Sequence, residues 1–225
     1  MVKIEIVVFD MAGTTVADDG LVERAFIAAV DAAGEKVGDR DAALRYVNDT
    51  MGQSKITVFR HLTGGDEAAA RRLNTAFEQA YARSVADGDC APIDGAAELL
   101  GTLRAAGVRT ALTTGFSRDT ADRILTALGW TDLADLTLVP AEAGRGRPYP
   151  DLALTALLRL GGTDVRALAT VGDTSTDVLA GRRAGASVAA GVLTGAHDAA
   201  TLRAAGATHV LDSVRDLEPL ILERS

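Results

Sequence analysis

The stretch Val7-Val8-Phe9-Asp10-Met11-Ala12-Gly13-Thr14-Thr15 joins an apolar run to an acid. A nearly continuous apolar run of this kind is typical of a strand covered on both faces, as in a parallel sheet. Gly13 permits a sharp turn just beyond the strand. Asp10 is therefore the first candidate for chemistry. Ala12 is informative as well, because a carboxylate at that position would supply a general acid for an oxygen leaving group, and a methyl group stands there instead.

Composition and charge narrow the class of protein. A chain of 225 residues predicts one sizeable core with a smaller inserted unit. The formal charge of −8 argues against a nucleic-acid partner, which would require a basic face. With Cys90 as the only cysteine, the chain forms no internal disulfide and no multi-cysteine zinc site. Neither a signal-peptide core nor an apolar run of about 18 residues is present, so we expect a cytoplasmic protein with no membrane partner.

The part of the chain that follows the first strand is predicted to be helical. Between residues 21 and 87 the apolar residues recur at helical spacing in four groups, with no convincing strand. One of these groups is Leu44, Val47 and Met51, and Gly52 predicts a break directly after it. We therefore predict a helical domain of residues 18–90, inserted into a core of residues 1–17 and 91–225.

The rest of the core alternates between strands and helices. Such alternation predicts an α/β fold, a Rossmann-like parallel sheet with helices on both faces and right-handed crossovers. Functional groups are then expected beyond the carboxyl ends of the strands. Further strands are predicted at residues 108–113, 136–139, 168–171, 188–192 and 208–211, and helices at 94–106, 118–128, 150–160, 175–184, 198–205 and 214–223.

Acidic residues follow two of the predicted strands. Asp10 ends the first, and Asp173 and Asp177 follow the strand at 168–171. Residues four apart on a helix lie about one turn from each other, so both carboxylates of the second pair can face one cation. The alternative for each acid is a turn or helix-capping role. Three acids at one edge would repel each other without a cation, which favours bound Mg²⁺.

Two further strand ends carry groups suited to phosphoryl oxygens. Thr113-Thr114-Gly115 offers hydroxyl and backbone amide groups next to a helix start, although an ordinary strand-to-helix turn has the same composition. Arg147 lies between Gly146 and Pro148, where the alternatives are a solvated loop arginine and a planar fork that grips phosphate or phosphonate oxygens. A metal ion bound by the acidic residues at the same edge would favour the planar fork.

Lys55 lies just after the predicted helix break, among small and polar residues. A helix lysine is usually a solvated charge, but a lysine desolvated above a site loses proton affinity and can attack a carbonyl group. His61, His197 and His209 show no paired spacing and are interpreted as structural. The serines near the motifs lack an evident base, which disfavours a serine nucleophile.

The four strand-end motifs resemble, in order and spacing, those of the haloacid dehalogenase superfamily, and the helical insertion resembles its mobile cap. More narrowly, the chain resembles the phosphonoacetaldehyde hydrolases (phosphonatases) and phosphonatase-like proteins. Three features carry the narrower resemblance. They are Asp-x-Ala-Gly-Thr at residues 10–14, Arg147 where most relatives have lysine, and Met-Gly-x-x-Lys at residues 51–55.

The resemblance implies a role for each motif. Asp10 would be the nucleophile toward phosphorus, and Lys55 would form a Schiff base with the substrate aldehyde. The remaining roles are metal binding and substrate binding. Asp10, the carbonyl of Ala12 and Asp173 would hold Mg²⁺ with Asp177 orienting its shell, and Thr113, Thr114, Gly115, Arg147 and Met51 would contact the substrate.

These roles are chemically consistent with the methyl group of Ala12. A carbon–phosphorus bond breaks readily only if a conjugated cation accepts its electrons, and an iminium at Lys55 would do so. No acid is then needed to protonate a leaving oxygen. One departure is Val58, where phosphonoacetaldehyde hydrolases carry a histidine that moves protons during imine formation. A related substrate, such as a 2-oxoethylphosphonate hydroxylated beside phosphorus, is consistent with that change.

The sequence therefore predicts a Mg²⁺-dependent hydrolase of phosphonoacetaldehyde or a close analogue. The alternatives are a phosphate monoester hydrolase on the same fold and a non-catalytic phosphometabolite binder. The Asp10, Asp173 and Asp177 set argues against the binder, which needs no nucleophile. The expected partner is a small phosphonate or phosphate, and the resemblance adds the expectation of a homodimer.

Overall fold

The computed structural model describes residues 2–35 and 37–223, and its core is a single sheet of six parallel strands. Met1, Lys36, Arg224 and Ser225, which fall within the predicted domains, lie outside the described residues. The strands are β1 (Ile6–Asp10), β2 (Arg109–Thr113), β3 (Leu136–Leu138), β4 (Leu168–Gly172), β5 (Val188–Val192) and β6 (His209–Leu211). All six were expected, and the predicted parallel α/β architecture is confirmed.

The strand order is β3-β2-β1-β4-β5-β6, so β1 lies at the centre of the sheet. From β1 the chain builds outward on one side through β2 and β3, and then returns to build the other side from β4. A change of direction of this kind opens a crevice at the carboxyl ends of the central strands. Asp10 ends β1 at this crevice, in register with Thr113 at the end of β2.

Eleven helices flank the sheet in the described part of the chain. The first four lie between β1 and β2, within residues 18–90, a range we call the helical segment. They are α1 (Leu21–Ala33), α2 (Arg40–Asp49), α3 (Lys55–Leu62) and α4 (Glu67–Ala86). The others are α5 (Ala96–Ala105), α6 (Arg118–Leu128), α7 (Pro140–Ala143), α8 (Asp151–Arg159), α9 (Ser175–Ala184), α10 (Ala199–Ala204) and α11 (Glu218–Leu222).

Local sequence explains where these helices begin and end. Asp39 starts α2 by accepting a hydrogen bond from the Ala42 amide, and Asp66 starts α4 by accepting from the amides of residues 68 and 69. The helix break expected at residues 51–52 is present, and Gly52 adopts a positive φ of 82° there. Met51 was expected within the preceding helix, but α2 ends at Asp49 and Met51 belongs to the turn.

Two helical details differ from expectation. The single helix expected over residues 214–223 is split into a 3₁₀ turn, Val214–Leu217, and the short α11. Pro219 explains the split, because proline is accommodated in the first turn of a helix and not in its interior. The short α7 was not predicted, since its four residues are too few to show helical periodicity.

Side chains of β1 alternate between two apolar layers. Ile6 and Val8 pack with α8 on one face, and Val7 and Phe9 pack into a larger cluster on the other. The sheet is therefore covered on both faces, as expected. The larger cluster continues into the helical segment through the buried Phe59 and Phe77, so the segment is packed onto the core. No helix among residues 2–35 and 37–223 is long and apolar enough to cross a bilayer.

Candidate active site

Asp10 lies at the end of the central strand, and its side chain is almost fully buried. Burial raises the pKa of this carboxyl group well above its usual range, and the positive charge of Arg147 acts in the opposite direction. The two side chains form an ion pair, with 2.5 Å between Nη1 of Arg147 and Oδ1 of Asp10. An acid buried at this depth needs such a partner to stay ionised.

Arg147 joins three of the predicted site residues. Its Nη1 atom also lies 2.7 Å from Oδ1 of Asp177, and its Nη2 atom donates a hydrogen bond of 3.2 Å to the Thr113 hydroxyl. Thr113 in turn donates to the carbonyl of Phe9 at 3.1 Å. Arg147 is only 5% exposed, so it is not a solvated loop residue. Its guanidinium group holds the acidic residues and the end of β2 together.

Asp173 follows β4 and is held by two donors. The Thr14 hydroxyl donates to its Oδ1 atom at 3.0 Å, and the Ala196 amide donates to its Oδ2 atom at 2.8 Å. Burial and the nearby charge of Asp177 raise the pKa of Asp173 to about 6. Two loops from different strands therefore fix the orientation of this carboxylate.

Asp177 has the capping role that the sequence left open, and a site contact as well. It lies in the first turn of α9, where its Oδ2 atom accepts the Thr174 amide at 3.1 Å and also bonds the Thr174 hydroxyl. Its Oδ1 atom faces Arg147. The capping box thus aims one oxygen of Asp177 into the cluster.

The donor set at this edge fits a divalent cation. Asp10, Asp173 and Asp177 each offer a carboxylate oxygen, and these oxygens lie within 4.8 Å of one another. Three buried carboxylates carry three negative charges, of which the single guanidinium group of Arg147 balances one. A hard dication with oxygen ligands would balance the other two. The site is therefore suited in both charge and ligand type to a metal such as Mg²⁺.

A cavity of about 560 Å³ opens above the acidic cluster, between the sheet edge and the helical segment. Seven of the predicted site residues line it: Asp10, Ala12, Met51, Lys55, Thr114, Gly115 and Asp173. Thr113 lies beneath Arg147 and has its hydroxyl occupied by protein groups. The structure therefore brings the sequence-predicted residues of both the core and the helical segment to one place.

Lys55 is the first residue of α3, and its backbone amide donates to the carbonyl of Gly115 at 3.3 Å. Its ammonium group lies over two aromatic rings, 5.4 Å from the centroid of Phe116 and 5.9 Å from that of Phe77. Burial lowers the pKa of Lys55 to about 8, and the charges of Asp18 and Asp10 partly offset the effect. About one tenth of this amine is therefore neutral, and nucleophilic, at pH 7.

The turn that precedes Lys55 fits closely against the core. A Cβ atom added at Gly115 would lie 2.4 Å from the carbonyl oxygen of Gln53, and one added at Gly52 would lie 2.7 Å from two threonine hydroxyls. The Thr176 hydroxyl donates to the Met51 carbonyl at 3.0 Å. Backbone contacts without space for a methyl group therefore fix the position of Lys55 above the cluster.

His197 and Asp18 are among the cavity residues that had not been predicted from the sequence. His197 had been interpreted as structural, yet it lines the cavity, and its Nδ1 atom accepts the Ser175 amide at 2.8 Å. Asp18 lies in the loop after β1 and also faces the cavity. The signal for both was their position beyond the carboxyl end of a strand, β5 and β1 respectively.

The fold and site together define a hydrolase of the haloacid dehalogenase type. Residues 4–185 match the family described as haloacid dehalogenase-like hydrolase. The chain therefore belongs to the haloacid dehalogenase-like hydrolases.

Sequence relatives narrow the comparison. A phosphonoacetaldehyde hydrolase of Bacillus cereus strain AH187 is 30% identical over 207 residues, which cover 81% of this chain and 74% of that protein. A phosphonoacetaldehyde hydrolase of Bordetella pertussis is 29% identical, and the alignment covers 99% of this chain and 92% of that protein. The relatives thus align with both the core and the helical segment.

Solved structures agree with the fold. A hydrolase from Pseudomonas syringae superposes with a TM-score of 0.84 at 28% identity, covering 97% of this chain and 98% of that one. A phosphonoacetaldehyde hydrolase-like protein from Oleispira antarctica superposes with a TM-score of 0.83 at 25% identity, covering 98% and 92%. The similarity in both cases extends over nearly the entire chain.

Proposed function

We propose that this hydrolase cleaves the carbon–phosphorus bond of phosphonoacetaldehyde or a closely related 2-oxoethylphosphonate, and releases an aldehyde and phosphate. One observation carries the proposal: the Lys55 amine shares a cavity with the Asp10 carboxylate, and a methyl group stands at position 12. The relatives named phosphonoacetaldehyde hydrolase at about 30% identity support it.

Lys55 would activate the carbon side of the bond. The neutral amine attacks the aldehyde carbon, water leaves, and an iminium group joins Lys55 to the substrate. This cation withdraws electrons from the carbon bonded to phosphorus. When the carbon–phosphorus bond breaks, its electron pair moves into an enamine. No leaving oxygen has to be protonated, which explains the absence of an acid at Ala12.

Asp10 would act on the phosphorus side. Its carboxylate oxygen bonds to phosphorus as the bond to carbon breaks, and water then hydrolyses the aspartyl-phosphate. The enamine takes up a proton at carbon, and hydrolysis of the resulting iminium frees the aldehyde and the Lys55 amine. The Thr114 hydroxyl, the Gly115 amide and the charge of Arg147 are the groups suited to binding the phosphoryl oxygens, since the Thr114 amide donates to the Leu138 carbonyl at 3.3 Å.

The cofactor in this proposal is Mg²⁺. Asp10, Asp173 and the carbonyl of Ala12 would hold the ion, and Asp177 would orient its outer shell. When bound, the ion would neutralise negative charge on the phosphoryl oxygens. Arg147 would keep the Asp10 oxygen aligned, because its guanidinium group contacts both Asp10 and Asp177.

The helical segment is proposed to act as a cap domain, with the remainder of the chain as the catalytic core. Lys55 and Met51 are among the cap residues that line the cavity. Closure of the cap would exclude water while the iminium is present, since water would hydrolyse it. Opening would admit a small-molecule substrate and release the products.

The decisive experiment traps the iminium. The protein is incubated with phosphonoacetaldehyde and Mg²⁺, aliquots are quenched in borohydride, and phosphate release is measured in parallel. The sequence contains only three lysines, at positions 3, 36 and 55, so mass spectrometry of peptides identifies the modified one without ambiguity. We expect an adduct at Lys55 together with Mg²⁺-dependent phosphate release.

Two variants make the experiment specific. Lys55→Arg keeps the charge but removes the attacking amine, and should abolish both the adduct and phosphonate cleavage. Lys3→Arg, at an exposed position, is the matched control and should behave as the wild type. Phosphate release from phosphonoacetaldehyde by Lys55→Arg at the wild-type rate would refute the Schiff-base route.

The second candidate is a phosphate monoester hydrolase of the same family. Val58 favours it, because this buried residue offers no proton-transfer group one helical turn from Lys55. Rapid hydrolysis of simple phosphate esters, with no borohydride adduct at Lys55, would establish this candidate in place of the phosphonatase.

A further inference from the structure

Asp18 is the acidic residue whose charge acts most strongly on Lys55. It lies in the loop between β1 and α1 and lines the same cavity. The backbone amides of Gly20 and Val22 both donate hydrogen bonds to its carboxylate, and the distance from the Val22 amide to Oδ1 is 3.3 Å. The start of α1 thus holds the Asp18 carboxylate in a fixed orientation.

The surroundings of Asp18 allow it to exchange a proton. Burial raises the pKa of Asp18, and the positive charge of Lys55 partly opposes the shift. Burial lowers the pKa of Lys55 to about 8. Asp18 and Lys55 line the same cavity but form no ion pair within 4 Å in the described part of the chain, so a proton exchanged between them would pass through one water molecule.

The other charged groups of the cavity are less suited to this task, and the charges of Asp19, Glu23 and Asp49 are not among the main ones that act on Lys55. Asp10 is paired with Arg147 and would be committed to phosphorus. Asp173 belongs to the proposed metal ligands. The Nδ1 atom of the His197 imidazole is occupied by the Ser175 amide. Val58, one turn along α3 from Lys55, carries no titratable group.

We propose that Asp18 is the catalytic residue that carries protons between the Lys55 amine and the oxygen of the substrate aldehyde. This inference rests on the proposed function, which it deepens by naming the group that makes imine formation possible. Asp18 would thereby fill the chemical role that the valine at position 58 cannot.

Asp18 and Lys55 together account for every proton transferred during imine formation. The Asp18 carboxylate takes a proton from the Lys55 ammonium, and the neutral amine then adds to the aldehyde carbon. Asp18 gives this proton to the new alkoxide and takes another from the nitrogen of the carbinolamine. It gives that second proton to the hydroxyl group, which leaves as water. The products are the iminium, one water molecule and the original carboxylate.

The test measures how fast the adduct at Lys55 forms. Wild type, Asp18→Asn and Asp19→Asn are mixed with phosphonoacetaldehyde at pH 6 to 10, and timed aliquots are quenched in borohydride and analysed by mass spectrometry. Asparagine keeps an oxygen acceptor for the amides of α1. Asp19→Asn makes the same change of charge at the next residue, which is exposed and has a positive φ of 42° that asparagine tolerates.

The pH profile separates proton transfer from simple electrostatics. Removing the Asp18 charge should shift the titration of Lys55 to lower pH, which by itself would accelerate the reaction at pH 7. Loss of proton transfer should instead lower the plateau rate above pH 9 by about 10²-fold or more. For Asp19→Asn we expect a plateau within about twofold of the wild type, as for an exposed charge.

The possible outcomes decide between the two proposals. A wild-type plateau in Asp18→Asn, with only an acidic shift of the profile, overturns the role of Asp18 and leaves the proposed function intact. No adduct in the wild type overturns both. If Asp18→Asn has a lowered thermal midpoint, Asp18→Ala is assayed with added formate, which should restore the rate only if a carboxylate carries the proton. Failure of formate to restore the rate in folded Asp18→Ala would also count against the proposal.

Discussion

The two cations of the site, Arg147 and Lys55, lie in opposite kinds of surroundings. Arg147 is fixed between Asp10 and Asp177 within the core. Lys55 extends from the helical segment over the rings of Phe77 and Phe116, and among the described residues it forms no ion pair within 4 Å.

These surroundings explain how one fold can keep one cation charged and allow the other to lose its proton. A guanidinium group between two carboxylates stays protonated at any physiological pH and can balance phosphoryl charge. An amine that burial desolvates, without a contacting acid, is poised to act as a nucleophile. We therefore expect Arg147 to stabilise charge on the phosphoryl group of the proposed substrate, and Lys55 to react with its aldehyde carbon.

The largest effect should come from Asp10→Asn, which separates the two regions. Loss of the carboxylate nucleophile should reduce phosphate release by at least about 10⁴-fold with either a phosphonate or a phosphate ester. The borohydride adduct at Lys55 should persist, because imine formation does not use Asp10. Phosphate assays and peptide mass spectrometry of the same sample check both statements. Simultaneous loss of the adduct in a folded variant would contradict the separation.

Arg147→Lys should have the next largest effect. An ammonium group cannot contact two carboxylates and Thr113 with the planar fork that Arg147 provides, so we expect kcat/KM to fall by about 10² to 10³-fold. Arg145→Lys is the matched control. Arg145 is exposed, and its ion-pair partner among the described residues is Asp151. Steady-state kinetics of both variants, with thermal unfolding as a folding check, give the comparison.

A smaller effect is expected where the two regions meet. Gly115→Ala would place a methyl group 2.4 Å from the Gln53 carbonyl and force the Lys55 turn away from the sheet edge. We expect kcat/KM for the phosphonate to fall by about 10 to 100-fold, in line with the cost of a misplacement of about 1 Å. Gly101→Ala in α5, where nothing lies within 4 Å of an added Cβ, should leave activity unchanged. Equal kinetics for the two variants would show that the close contact is not needed.

The smallest expected effect is the response of Lys55 to pH. Its pKa is lowered to about 8, so the neutral fraction of the amine rises as pH increases through that value. Adduct formation by the wild type should therefore be about tenfold faster at pH 9 than at pH 7. Phosphate ester hydrolysis, which does not use the Lys55 amine, should not follow this profile. A rate of adduct formation that is flat between pH 7 and 9 would contradict a lowered pKa.

Much of the fold followed from the sequence because its signals are local. Apolar runs marked each of the six strands, and the break at Gly52 marked the start of the Lys55 turn. The strand order could not be predicted, since it depends on long-range packing that periodicity does not encode. The split of the last helix depended on the single residue Pro219, and the helical spacing of the apolar residues around it gave no sign of the split.

For the site, the topology rule was sufficient to bring Asp10 and Asp173 together, because both end central strands. The ion pairs of Arg147 depend on side-chain geometry across three loops and had no signal in the sequence. Asp18 lacked a motif of its own, and its relation to Lys55 becomes visible only when α3 is packed over the cavity. The sequence therefore did not reveal residues that folding brings together without a fixed separation along the chain.

The contact between the helical segment and the core also has a consequence for solution behaviour. Among the residues that the structure describes, the bonds that cross it include Lys55 to Gly115, Thr176 to Met51 and Ser117 to Glu78, and none of the ion pairs spans it. Ionic strength screens pairs of opposite charges strongly and affects hydrogen bonds and close packing much less. The proposed opening and closing of the helical segment should therefore depend little on salt, and a salt dependence of activity would report mainly on binding of the proposed anionic substrate.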